Sequence, residues 1–183
     1  HFGYTPSDFP LAKLNQQQID KVFGEISNIQ DIYPLSPMQE GLLFQKLLNP
    51  SSQAYFVQNV FEINSIMDSQ KLKKAFQEVV SNFDILRTGF KWDELPNPLQ
   101  FVVKNVELSW EEKNWEEKNS KIKLKKFLNI IKKEGYNFSA PPIMRAYLIH
   151  LSSTHYYLIW NFHHILMDGW STQLILQEIF SIY

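Results

Sequence analysis

The chain of 183 residues contains no cysteine, which rules out disulfides and thiolate metal sites and suits a cytoplasmic setting. It has no apolar run near the ~20 residues that a membrane-spanning helix requires. Its first residues lack the basic-then-apolar layout of a signal peptide. Neither sign of charge is in excess: 18 Lys and Arg stand against 19 Asp and Glu, for a formal net charge of -1. That balance gives neither nucleic acid nor an anionic membrane a reason to bind. No internal repeat is visible. What the chain does have is apolar substance, with 44% hydrophobic residues, enough for one compact domain with a sizeable core. Its many aromatic side chains are expected in that core, and none is assigned to a site.

Periodicity predicts alternating helices and strands. Ser36, with Pro37 at the first helical position and Gln39 three residues after the cap, reads as a capping box. The helix it opens runs through Leu42, Leu43 and Leu47 and stops at Asn49-Pro50; Gly41 inside it suggests a close approach of backbone or ligand. Tyr55, Val57, Phe61 and Ile63 alternate along a strand. Asp68 caps a helix with Leu72, Ala75, Phe76, Val79 and Val80 on one face. Residues 85–92 and 99–103 read as strands joined by a turn, and residues 111–120 as a polar loop. Ile122, Leu124, Phe127, Leu128, Ile130 and Ile131 among lysines predict an amphipathic helix with a solvated basic face. Residues 144–151 and 155–162 read as a hairpin, and Leu174, Ile175, Ile179 and Phe180 as the buried stripe of a closing helix. Together these elements predict an α/β two-layer sandwich with a mixed sheet.

The chemistry concentrates in residues 161–171. His163 and His164 follow a strongly apolar run, and Asp168-Gly169 reads as a turn into the closing helix. Histidine titrates near neutrality and suits proton handling. Adjacent residues of a strand point to opposite faces, so one imidazole is expected inward as structure and the other toward a cavity as chemistry. Three readings of the residues stand side by side: buried histidines satisfied by hydrogen bonds, a metal site, and a catalytic imidazole. Divergent side chains make a poor chelate, and the chain offers little to complete a metal shell.

The run His163-His164-Ile165-Leu166-Met167-Asp168-Gly169 resembles the His-His-x-x-x-Asp-Gly signature of condensation domains of nonribosomal peptide synthetases. Their fold is shared with chloramphenicol acetyltransferase-like acyl transferases. Trp170-Ser171 also matches what such domains carry after the Asp-Gly. Two further stretches are similar to family motifs and come in the family's order: residues 33–44, from Tyr33 through Ser36 and Gln39 to Phe44, and Leu86-Arg87-Thr88-Gly89-Phe90. At Asn82-Phe83 the chain departs from the family's usual Arg-His.

The resemblance implies formation of an amide bond between two thioesters carried on the phosphopantetheine arms of carrier domains, with no cofactor bound by this chain. It implies upstream and downstream carriers and a neighbouring adenylation domain as partners. Residues 1–30 resemble the linker after an upstream carrier domain, where Pro6 and Pro10 favour an extended path. Residues 31–183 resemble the N-terminal lobe alone. The chain is thus expected to be a fragment that associates through the surface left by a missing C-terminal lobe. The basic helix offers a second reading as a docking face for an acidic carrier.

His164 is implied as the catalytic residue, either as general base on the attacking ammonium or as a positioning and electrostatic group. His163 is implied as hydrogen-bonded support. Gly169 permits close approach of substrate and can offer its N–H. Asp168, ionised with an ordinary pKa near ~3.9, is a poor proton-transfer group at neutral pH. It is expected to form a structural ion pair with Arg87. The alternatives are an epimerization domain of the same fold and a non-catalytic carrier-binding lobe. Residues 38–41 and 168–171 favour condensation.

Overall fold

The computed structural model describes residues 3–183. The elements in chain order are α1 (Gln16–Val22), β1 (Ile29–Pro34), α2 (Pro37–Leu48), β2 (Phe56–Asn64), α3 (Ser69–Asn82), β3 (Thr88–Lys91), β4 (Leu99–Val103), β5 (Ser109–Asn114), α4 (Ser120–Glu134), β6 (Met144–His150), β7 (His155–His163) and α5 (Gly169–Ile182). A four-stranded sheet has the order β2-β7-β6-β5, with β5 parallel to β6 and the other pairs antiparallel. A three-stranded antiparallel sheet has the order β1-β4-β3. The α/β sandwich with mixed pairing is the architecture expected. No helix of the described residues is long and apolar enough to cross a membrane.

The larger sheet is covered on both faces, which is why β6 and β7 read as near-continuous apolar runs. Met144, Ala146, Leu148, Leu158, Trp160 and Phe162 pack in one cluster with Leu72, Phe76 and Val79 of α3 and Ile175 and Ile179 of α5. Their neighbours Tyr147, Ile149, Tyr157 and Ile159 face Leu124, Phe127, Leu128 and Ile131 of α4. Ile122 and Ile130 stand outside that stripe and are exposed, as are Leu174 and Phe180 of α5, contrary to expectation. In both helices a narrower stripe suffices to cover the sheet, and the extra apolar residues fall beside it.

Three local expectations also fail for identifiable reasons. Residues 111–120 are not one loop, because β5 extends to Asn114. It is an edge strand, and edge strands carry charge that discourages pairing with other chains. Glu112 accepts from Trp110 at 3.0 Å and pairs with His150 of β6 at 2.8 Å. Residues 84–87 form a 3-10 turn before β3, closed by the Thr88 hydroxyl donating to the Asp84 carbonyl at 2.8 Å. The N-terminal segment does not follow an extended path. Pro6–Asp8 forms a 3-10 turn, and Phe9, Leu14, Ile19 and Phe23 are buried against Ile32, Leu99 and Phe101 of the smaller sheet. Burying four large apolar side chains outweighs the extended preference of two prolines. His1 and Phe2 lie outside the described residues.

Two glycines of the motifs behave differently. A Cβ on Gly89 would sit 2.5 Å from the Phe101 ring, so β3 and β4 can approach only with glycine there. A Cβ on Gly41 would meet nothing within 4 Å, so no protein group explains that glycine by close approach.

Candidate active site

β7 carries the histidine pair to the end of the sheet. His163 is its last residue and pairs with Phe56 of β2. The chain then turns, with the Leu166 N–H donating to the His163 carbonyl at 3.0 Å. The His164 N–H donates to the Tyr55 carbonyl at 2.8 Å, and Tyr55 itself holds a left-handed φ of 64°. Such a conformation is unusual for a large side chain and marks a place where the surroundings over-determine the backbone.

The two imidazoles diverge, as their adjacency requires. His163 is buried, 5% exposed, with its ring edge-on to Phe138 at 4.7 Å. Its Nδ1 accepts from the Ile165 N–H at 3.1 Å. Burial, with smaller contributions from Lys46 and His164, pushes its pKa down to about 4. It is therefore neutral at physiological pH and acts as an acceptor inside the turn. The ring borders a cavity of about 130 Å³ with Lys46, Asn49 and Tyr55, separate from the cleft of its neighbour.

His164 is half-buried and lines an open cleft of about 350 Å³ shared with Tyr33, Gln39, Gln100, Met167 and Ser171. Its Nδ1 lies 3.0 Å from the Met167 carbonyl. A carbonyl only accepts, so Nδ1 carries a proton, and the neutral ring then has its lone pair on Nε2. Nε2 has no hydrogen-bond partner among the described residues. The turn thus holds the imidazole through Nδ1 and leaves Nε2 open to the cleft.

Asp168 and Arg87 do not meet. Asp168 is exposed and is the N-cap of α5: its Oδ1 accepts from the Ser171 N–H at 2.8 Å. Hydrogen bonds from Ser171, the backbone first and the hydroxyl second, hold its carboxyl below the usual range. Arg87 instead pairs with Asp84, three residues earlier, and donates to Gln30 at 2.9 Å and to the carbonyls of Val103 and Lys104. The expected ion pair is corrected on two physical grounds. An exposed carboxylate needs no buried cation, and α5 needs a cap that only Asp168 supplies. Gly169 opens α5, and a Cβ there would meet nothing within 4 Å, which leaves its approach from solvent clear. Residue-type reasoning missed Gln100, the Tyr55 carbonyl and the Met167 carbonyl. The two carbonyls belong to backbone, which no side-chain motif records.

The sequence and the architecture are similar to those of known proteins. The family model described as "Condensation domain" matches residues 29–183, and the chain belongs to that family. It is 39% identical to a linear gramicidin synthase polypeptide of Brevibacillus parabrevis over 184 residues, covering 99% of this chain and 2% of that protein. It is 32% identical to bacitracin synthase 3 of Bacillus licheniformis over 183 residues, covering 98% of this chain and 3% of that protein. The starter condensation domain of rhizomide synthetase superimposes with a TM-score of 0.74 at 20% identity, covering 83% of this chain and 38% of that one. A four-domain nonribosomal peptide synthetase bound to AMP and glycine gives the same TM-score at 20% identity, over 84% of this chain and 12% of that one. The chain therefore spans a few per cent of the curated relatives and somewhat over a third of a solved condensation domain.

Proposed function

We propose that this chain is one lobe of a condensation domain that joins two carrier-bound substrates through a peptide bond. The observation that carries the reading is the free Nε2 of His164 in an open cleft, in a chain of this family. The acceptor's amine nitrogen attacks the donor's thioester carbonyl, the C–N bond forms, and the C–S bond breaks. The amine proton passes to His164 Nε2, and the departing sulfur leaves as a thiol once protonated. An imidazole held at Nδ1 by a backbone carbonyl can do this without first turning.

The cleft favours work within a larger assembly. Met38 lines it on one side and is 63% exposed, and Trp170, two residues past the Asp168 cap, is 76% exposed. Large apolar side chains left open beside a reactive group suit a covering second lobe and substrates delivered on carriers. Phosphopantetheine then enters as part of the substrate. The test is product analysis with a donor carrier and an acceptor carrier, each loaded with a defined amino acid. An amide-linked dipeptide on the acceptor carrier supports the proposal. A donor with inverted α-carbon and no dipeptide would point to epimerization, and no conversion at all to a binding lobe.

A further inference from the structure

Beneath His164, two buried side-chain amides close on each other. Gln39 of α2 and Gln100 of β4 are 8% and 5% exposed. Gln39 Nε2 donates to Gln100 Oε1 at 3.1 Å, and Gln100 Nε2 donates to Gln39 Oε1 at 3.0 Å. Backbone groups fix which way each amide points. The Ser36 N–H donates to Gln39 Oε1 at 2.8 Å, and Gln100 Nε2 donates to the Pro34 carbonyl at 2.9 Å. Turning either amide over would set donor against donor or oxygen against oxygen. The second hydrogen of Gln39 Nε2 is then directed at the Ile165 carbonyl, 3.5 Å away.

Two amides buried in a protein interior cost free energy unless every group is bonded, and a pair of aliphatic side chains would fill the space without that demand. What the amides supply, and aliphatic chains cannot, is an oriented donor facing the residue after His164. From these bonds we infer that Gln39 and Gln100 are positioning residues for His164. They tie its turn to the smaller sheet through the Ile165 carbonyl. The Ile165 N–H is already held by His163 and the His164 N–H by Tyr55. Those two bonds hold the peptide units on either side of His164, and the amide pair adds a hold on the next unit, through the Ile165 carbonyl, so that the turn leading to Met167 and its Nδ1 contact is kept in one geometry. The inference rests on His164 being the reacting group, but its first readout does not depend on activity.

The test uses two variants of the full chain. Gln100→Met removes the partner that orients Gln39. Gln39→Glu keeps an acceptor for the Ser36 N–H, and so the capping box of α2, while removing both amide hydrogens. Nitrogen-15 shifts of the His164 ring report its tautomer. The wild type should show Nδ1 protonated and Nε2 bare, and both variants should show the two shifts moving toward each other. In dipeptide formation by the domain with both carriers, kcat should fall about tenfold with KM for the carriers unchanged, as for a small misplacement of a catalytic group. A folded variant with the wild-type tautomer and kcat overturns the inference, and Gln39→Glu decides the matter if Gln100→Met does not fold. If His164→Ala leaves condensation intact, the functional reading fails while the tautomer measurement still judges the positioning role.

Discussion

His163 should give the fold a measurable dependence on pH. In the folded chain its imidazole is buried against Phe138 and held down to about 4, chiefly by desolvation. In the unfolded chain it titrates near ~6.5. Between those values the unfolded state binds a proton that the native state refuses, so stability falls as pH falls. The gap of about 2.5 pH units corresponds to roughly 3 kcal/mol between pH ~6.5 and pH ~4. His163→Phe fills the same site with a ring that cannot be protonated. It also removes the acceptor for the Ile165 N–H, a loss of about 1–3 kcal/mol that does not change with pH. Urea denaturation of the purified chain at steps from pH 7.5 to 4.5, followed by tryptophan fluorescence, measures both. Carboxylate titration is common to the two proteins and cancels in their difference. The wild type should be the more stable at pH 7.5 and should lose that lead steadily below pH ~6.5. Parallel stability curves would show that His163 is not held neutral by burial.

His155 should act in the opposite sense. Hydrogen bonds to Glu117 and then Glu62 raise its pKa, so its contribution is complete below pH ~6.5 and lost as pH rises through the raised native value. A His155→Gln variant should therefore trail the wild type most at acid pH, and a deficit that grows with pH would be wrong. Asp168→Ala should lower the thermal midpoint modestly, as for a lost N-cap, rather than by the large drop expected of a broken buried ion pair. In denaturant cycles, Arg87→Ala should be non-additive with Asp84→Ala and additive with Asp168→Ala; coupling to Asp168 would restore the discarded pair. Gly89→Ala should destabilise by overpacking against Phe101, by about 1–3 kcal/mol, and a neutral thermal midpoint would count against that contact.

The helix starts were legible because caps are local. Ser36 with Gln39, and Asp68, cap where their sequence patterns placed them, and the helix after Asp168-Gly169 starts where that turn was read, although the cap role of Asp168 itself was not. The hairpin of β6 and β7 was legible because its apolar runs flank a short polar turn. The divergence of His163 and His164 followed from strand geometry alone. β5 was not legible, since an edge strand with Glu111, Glu112 and Lys113 has the composition of a loop. Arg87 was assigned the wrong carboxylate because charge complementarity ignores place. Asp84 lies one 3-10 turn away, while Asp168 is occupied at a helix end. The amide pair was hidden for a third reason: Gln39 and Gln100 are 61 residues apart and belong to elements whose packing no periodicity specifies.

The role of His164 is the claim on which the proposed chemistry depends. The decisive measurement is single-turnover dipeptide formation by the domain between a loaded donor carrier and a loaded acceptor carrier, comparing wild type with His164→Ala. Circular dichroism and thermal midpoint confirm that the variant is folded. The free Nε2 in the cleft predicts a fall in rate of about 10²-fold or more, as for a positioned acid–base group. A folded His164→Ala domain that makes dipeptide at the wild-type rate would contradict it.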